Sequence, residues 1–207
     1  MSAIWGVINK EAQIAEDVIS KMYDSMSHFK IDRFDKVVNK NIYFACGHQY
    51  FTEEAISDRS PFFSEKKGVY FAGDCYLYNR DELLKMLQET QDDKYQGDQW
   101  RRCGDATLAF EAFCAWGEEF VNKLRGSFAI AIYQPDRKTL NLYTDHLAQR
   151  YLAYYTDDEK VCFATIYQPL LATLGKDKLK LSRQWIAAAY TDCSADTLKI
   201  PGITVYE

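Results

Sequence analysis

A serine follows the first methionine in "MSAIWGV". A terminal Ser, Thr or Cys can be nucleophile and base at once, because its own α-amino group titrates at roughly 7.7 to 8.0. Ser2 is therefore the first candidate for covalent chemistry, on condition that Met1 is removed. With Met1 attached, the nitrogen of Ser2 is an amide and no base. No metal centre competes with it: the six cysteines Cys46, Cys75, Cys103, Cys114, Cys162 and Cys193 form no CxxC pair, and His28, His48 and His146 are never spaced as ligands. The scattered cysteines read as buried, reduced thiols of a cytoplasmic protein. No glycine-rich phosphate loop is present.

Composition narrows the class further. Of 207 residues, 47% are hydrophobic and 15% aromatic, enough for one sizeable core without disulfide or metal staples. Thirty acidic against 25 basic residues leave a net charge of −5, and adjacent basic residues occur only in short pairs such as Lys66-Lys67 and Arg101-Arg102. No stripe suits a phosphate backbone, so nucleic acid is excluded as a partner. Nor does any apolar run approach the roughly 20 residues of a membrane span, and no basic region precedes an apolar one at the N-terminus.

The elements that must position Ser2 are legible in outline. "SAIWGVI" is a short apolar strand at the terminus, and Ile14, Val18, Met22 and Met26 stripe a helix predicted over 11 to 29. "NIYFACG" and "GVYFAGDCYLY" read as strands joined by an exposed excursion. Asn79 is placed as the N-cap of the helix "RDELLKMLQ", with Glu82 three residues on. "ETQDDKYQGDQWRRCGD" reads as a polar, mobile connector. A helix is expected over 105 to 125, ended by Gly126. "SFAIAIYQ", "TLNLYTD", "YLAYYT" and "VCFAT" form hairpins around "PDRK" and "DDEK". "IYQPLLATLG", with Gly175 as stop, and "SRQWIAAAY", capped by Ser182, complete the helices. Strands and helices come in blocks, which favours an α+β fold of two packed antiparallel sheets with helices outside.

Four phrases, "GDCYLYNRDELL", "GDATLAFEAFCAWGEEFVNKLRGSFAIAIYQ", "LNLYTDHLAQRYLAYY" and "VCFATIYQPLLA", resemble in order and spacing the class II glutamine amidotransferase domain of the asparagine synthetase family. The resemblance runs from Ser2 to about Leu171. It implies an N-terminal nucleophile hydrolase fold, a four-layer αββα sandwich. It also implies hydrolysis of glutamine at a terminal cysteine, with the ammonia passed to an ATP-using synthetase domain. The pyrophosphatase-type loop of that second domain is absent, so ATP and Mg²⁺ are expected only there and no cofactor in this chain. The whole chain, 1–207, is expected to be one such domain, with about 195–207 the start of a linker to a synthetase domain acting in cis or in trans. A homodimer is admitted as a further partnership.

Carried over residue by residue, the resemblance implies a damaged site. Ser2 stands at the nucleophile position in place of Cys. Gln49, in "GHQY", stands where the family binds the substrate carboxylate with an arginine, and a neutral amide forfeits roughly 1.5 to 3 kcal/mol of charge-assisted contact. Asp74 and Cys75 stand where an Asn-Gly pair forms the oxyanion hole. An ionised Asp74 offers no donor, and losing one such donor costs about 10² to 10³ in rate. Asp105 matches the aspartate that contacts the substrate's amino group, yet it also falls where a helix N-cap is needed. Thr144 and Ala148 depart from a family phrase in Arg and Gly, and Asp145 reads as a turn residue. The leading reading is a domain that has lost glutamine hydrolysis and persists within an amide-forming enzyme. An active serine amidohydrolase is the alternative. A third reading is a free-standing binding module that uses the vacated pocket or aromatics such as Tyr50, Phe51, Phe62 and Phe63.

Overall fold

A computed structural model describes residues 2–90, 95, 97–174, 183, 187 and 190. The expected stop at Gly175, the helix capped by Ser182 and the segment 195–207 fall wholly or mostly outside the described residues.

Among the described residues nine strands build two sheets, all of whose neighbours are antiparallel. The first sheet comprises β1 (Ala3–Asn9), β2 (Arg33–Asn39), β3 (Ile42–His48), β8 (Ala153–Thr156) and β9 (Lys160–Ala164), in the order β2-β3-β1-β9-β8. The second comprises β4 (Phe62–Ser64), β5 (Val69–Leu77), β6 (Gly126–Gln134) and β7 (Thr139–Thr144), in that order. Alternation along each strand sorts the core into three apolar layers. Ile4, Ile8, Phe44, Tyr70, Ala131 and Phe163 meet between the sheets. Ala3, Trp5 and Val7 face the other way, toward Met22 of α1 (Glu16–Asp24) and Leu170 of α6 (Tyr167–Ala172). Phe71, Leu77, Phe128 and Ile130 pack on α3 (Arg80–Thr90) and α5 (Asp105–Trp116). The chain is thus the α+β, four-layer sandwich expected from its block pattern.

β1 is central, pairing with β3 from Ala3 opposite Gly47 and with β9 from Trp5 opposite Ala164. Gly6 leaves room for its neighbours in the same sheet: a Cβ there would stand 2.6 Å from the Phe163 ring of β9 and 2.7 Å from the Tyr43 carbonyl of β3. The strand therefore delivers Ser2 to a fixed place at one end of the sheet interface.

Several expectations need correction. The first helix covers Glu16–Asp24 rather than 11 to 29, because the Ile14 N–H bonds the Lys40 carbonyl at 2.9 Å and Ala15 stays extended. The helix expected over 105 to 125 ends at Trp116, where Gly117 takes a φ of +60° and a 3₁₀ segment Gly117–Lys123 follows. Gly126 does not stop that helix; it opens β6. Part of the polar connector is ordered, with α4 (Asp98–Arg101) and a fully buried Tyr95 whose hydroxyl bonds Glu111 at 2.8 Å. The strands "NIYFACG" and "GVYFAGDCYLY" lie in different sheets, and the excursion between them holds α2 (Glu53–Ile56) and β4. Asn79 keeps the expected place directly before α3, its carbonyl accepting the Leu83 N–H at 2.9 Å and its amide reaching Glu82 at 3.5 Å, and its side chain also bonds the Lys123 carbonyl at 2.9 Å and the Arg125 N–H at 3.0 Å, tying the helix to the strand beyond.

Candidate active site

All five residues singled out in the sequence reach one cleft at the end of the sheet interface. Ser2, Gln49, Asp74, Cys75 and Asp105 line it together with His48, Asp58, Gly73 and Arg150. Ser2 comes from the entry to β1 and Gln49 from the exit of β3. Asp74 and Cys75 come from the C-terminal half of β5, and Asp105 opens α5.

Ser2 is held at both ends of its short side. Its Oγ accepts the Gln49 N–H at 3.1 Å, and its own backbone nitrogen donates to Asp74 Oδ1 at 3.2 Å. The Gln49 side chain turns aside, its Nε2 bonding the Lys30 carbonyl at 2.6 Å. Asp74 is 5% exposed and forms an ion pair with Arg150 through its second oxygen. Burial pushes the Asp74 carboxyl up to about 6, against the pull of Arg150. At neutral pH it is therefore mostly ionised, and both its oxygens are already taken. Asp74 thus stands in the cleft as a committed acceptor.

The remaining positions are equally committed. Cys75 points toward the α5 side of β5, and burial, aided by Asp58 and Asp74, pushes its thiol well up. It stays protonated and supplies no replacement thiolate. Asp105 is buried, accepts the Leu77 N–H at 2.9 Å and pairs with Arg80, so neither oxygen awaits a ligand. Its carboxyl is nevertheless held up by burial. Nor does Asp105 cap α5. The cap position is Gly104, and the capping carboxylate belongs to Asp58, which accepts from Ala106 N at 3.1 Å and from the Thr107 hydroxyl at 3.1 Å. Only glycine fits at 104, since a Cβ there would meet Asp58 at 2.4 Å.

Two functional neighbours escaped the sequence reading. Arg150 lay in a phrase already noted for Thr144 and Ala148, and no spacing along the chain ties it to its partner Asp74, 76 positions away. Its placement depends on Asp145, which accepts from the backbone of Leu147, Gln149 and Arg150 at 3.2, 3.0 and 3.2 Å. Asp145 is thus the turn residue expected. Asp58, in "SDRSP", carries no local signal, because its partners are 48 and 49 positions away. Behind it, His48 bonds the Ser60 carbonyl at 2.7 Å, and burial with Arg33 lowers its pKa. Of the cysteines, Cys46 and Cys162 are buried and Cys75, Cys103 and Cys114 half-buried; Cys193 lies outside the described residues. Among the described residues no group of three or more His, Cys, Asp or Glu is placed to hold a metal ion, and no helix is long and apolar enough to cross a membrane.

An N-terminal strand that brings residue 2 into a cleft between two packed antiparallel sheets is the arrangement of the N-terminal nucleophile hydrolase fold. The chain belongs to the glutamine amidotransferase domain family, which matches residues 1–200. Asparagine synthetase [glutamine-hydrolyzing] 3 of Bacillus subtilis is 27% identical over 109 residues, covering 49% of this chain and 17% of that protein. Amidase chry2 of Gibberella zeae is 22% identical over 168 residues, covering 80% and 24%. Among solved structures, the glutamine phosphoribosylpyrophosphate amidotransferase of B. subtilis, complexed with ADP and GMP, superposes with a TM-score of 0.61 at 14% identity, over 83% of this chain and 43% of that one. A structure of the allosteric regulatory enzyme of purine biosynthesis gives 0.59 at 14% identity over the same shares. The chain spans about a quarter or less of the curated relatives it matches.

Proposed function

We propose that this domain no longer hydrolyses glutamine and serves as the amidotransferase-type domain of an ATP-dependent, amide-forming enzyme of the asparagine synthetase kind. The single observation that carries the reading is the Asp74 carboxylate, bonded by the Ser2 nitrogen on one side and by Arg150 on the other. If Met1 is removed, the Ser2 nitrogen becomes an amine 3.2 Å from that carboxylate. The carboxylate favours the protonated ammonium, which cannot accept the hydroxyl proton. The same carboxylate repels the oxyanion of a tetrahedral intermediate, where the absence of one donor alone costs about 10² to 10³ in rate. Nucleophile activation and transition-state stabilisation fail for one reason.

Two further features support the reading. The Gln49 amide presents no cation to a substrate carboxylate, and Asp105 is neutralised by Arg80 before any amine arrives. The mouth of the cleft carries the exposed rings of Phe51 and Tyr76, an apolar rim suited to cover by a synthetase domain in cis or in trans. ATP and Mg²⁺ belong to that domain in this reading. Ammonia release from glutamine by the purified protein tests it, with Ser2→Ala as control. Equal rates for the two proteins, and no acyl adduct at Ser2 with a glutamine-like electrophile, are expected. Ser2-dependent release would establish the active serine hydrolase instead.

A further inference from the structure

A second cavity, of about 340 Å³, lies at the far end of β5 and β6 from the Ser2 cleft. Two hairpin turns and a helix end enclose it: Lys67 and Gly68 between β4 and β5, Asp136 and Arg137 between β6 and β7, and Phe113 and Gly117 at the end of α5. Val69 opens β5 at this cavity and Asp74 lies in the same strand's second half, so one strand serves both cavities. The helix α5 does so too, through Asp105 at its start and Phe113 near its end. Glycine keeps the walls back. Gly68 and Gly117 take φ of +64° and +60°, where a side chain is strained. A Cβ at Gly117 would meet nothing within 4 Å, and one at Gly68 only Asp136 Oδ2, at 4.0 Å.

The buried part of the lining is apolar and the exposed part carries both charges. Val69 and Phe113 are 4% and 8% exposed. The Asp136 carboxylate and the Arg137 guanidinium are exposed, and they pair neither with each other nor with any other described residue. The half-buried Gln134 amide lines the same cavity and is likewise unpartnered among the described residues. Lys67 Nζ donates to the Cys114 carbonyl at 3.0 Å, which leaves two of its three donors. A simple anion in this cavity would meet Asp136 and the carbonyl end of α5, and a simple cation would meet Arg137 and Lys67. A ligand that bears both charges satisfies both sides, and an apolar body on it covers the buried part of the lining.

We propose that this second cavity binds a free α-amino acid with an apolar side chain, its ammonium on Asp136, its carboxylate on Arg137 and Lys67, and its side chain on Val69 and Phe113. The Gln134 amide, donor and acceptor at once, completes the contacts to the charged end. The cavity is separate from the Ser2 cleft, so the inference stands whether or not Ser2 is active. Exposed charges give modest contacts, which sets the affinity at millimolar order.

The experiment is a nuclear magnetic resonance titration of the full chain, at matched ionic strength, with L-leucine and with relatives that each lack one feature. These are 4-methylpentanoate without the ammonium, isopentylamine without the carboxylate, and glycine without the apolar side chain. Saturable shifts of the Gly68 and Gly117 amides and of the Arg137 Nε–H are expected from L-leucine, with a Kd on the order of 1 mM. Each relative should bind about tenfold more weakly or not at all. Asp136→Asn and Arg137→Gln change exposed turn positions that pair with no other described residue, so both should keep the wild-type amide spectrum elsewhere and each should weaken L-leucine about tenfold. No saturable shift, shifts confined to Ser2 and Gln49, a relative that binds as tightly as L-leucine, or unchanged affinity in either variant would overturn the proposal.

Discussion

Replacing Arg150 by Met should destabilise the protein in a way that depends on pH. The pair is buried, with Asp74 5% and the Arg150 side chain 11% exposed. Methionine keeps most of the apolar stem but abandons a carboxylate in a low-dielectric site, a change that typically costs about 3 to 5 kcal/mol. Part of the loss, about 1 kcal/mol, is the Nε bond to Ser127 and does not vary with pH. The rest belongs to the charge on Asp74. In the native protein the Asp74 carboxyl is raised from 3.8 to about 6 by burial. The folded state thus holds a proton that the unfolded state has released. The stability from this proton is fully present below 3.8 and lost as pH rises through about 6, on the order of 3 kcal/mol in all. Without Arg150 the folded pKa moves higher still, so the variant suffers most at alkaline pH and recovers as Asp74 protonates. Burial and then Arg33 hold His48 below its usual 6.5, which works in the opposite direction because stability falls as the unfolded imidazole protonates. The quantity to measure is therefore the difference between variant and wild type, by urea unfolding at pH 8 and pH 5. We expect about 4 kcal/mol at pH 8, falling toward about 1 to 2 at pH 5. Equal differences at the two pH values, or less than about 1 kcal/mol at pH 8, would refute the claim that an uncompensated Asp74 charge dominates.

Other outcomes follow from single contacts. Ala148 sits at a φ of +48°, so Ala148→Gly should stabilise the fold by about 0.5 to 1 kcal/mol in the same urea assay; a loss would show that its methyl packs usefully. Gly6→Ala forces a methyl to within 2.6 Å of the Phe163 ring and should cost about 2 to 3 kcal/mol, seen as a lowered Tm; an unchanged Tm would contradict the tight fit of the Phe163 ring over Gly6. Asp58→Ala removes the cap of α5 and should cost about 2 kcal/mol, with faster amide exchange at Ala106 and Thr107; exchange unaffected there would rule out the capping role.

Much of this protein is written locally. The apolar and aromatic runs "SAIWGVI" and "GVYFAGDCYLY" read as strands, and the block order of strands and helices pointed to two packed antiparallel sheets before any contact was known. Four stretches, among them "GDCYLYNRDELL" and "VCFATIYQPLLA", carried the likeness that singled out Ser2, Gln49, Asp74, Cys75 and Asp105. Boundaries were less legible. The first helix begins at Glu16 because Ile14 is pinned to Lys40, a bond that no window of neighbouring residues contains.

What the sequence determined, then, was the identity of the groups in the cleft: the hydroxyl of Ser2, the amide of Gln49, the thiol of Cys75 and the carboxyls of Asp74 and Asp105. Their charge and their partners were decided by tertiary structure. The sequence had Asp105 as the candidate cap of α5, yet that work falls to Asp58, and Asp105 is instead neutralised by Arg80. Arg150 reaches Asp74 across 76 positions. Hydrogen bonds and ion pairs depend on distances in space, and burial alone lifts a carboxyl to about 6, so neither can be read from spacing along the chain.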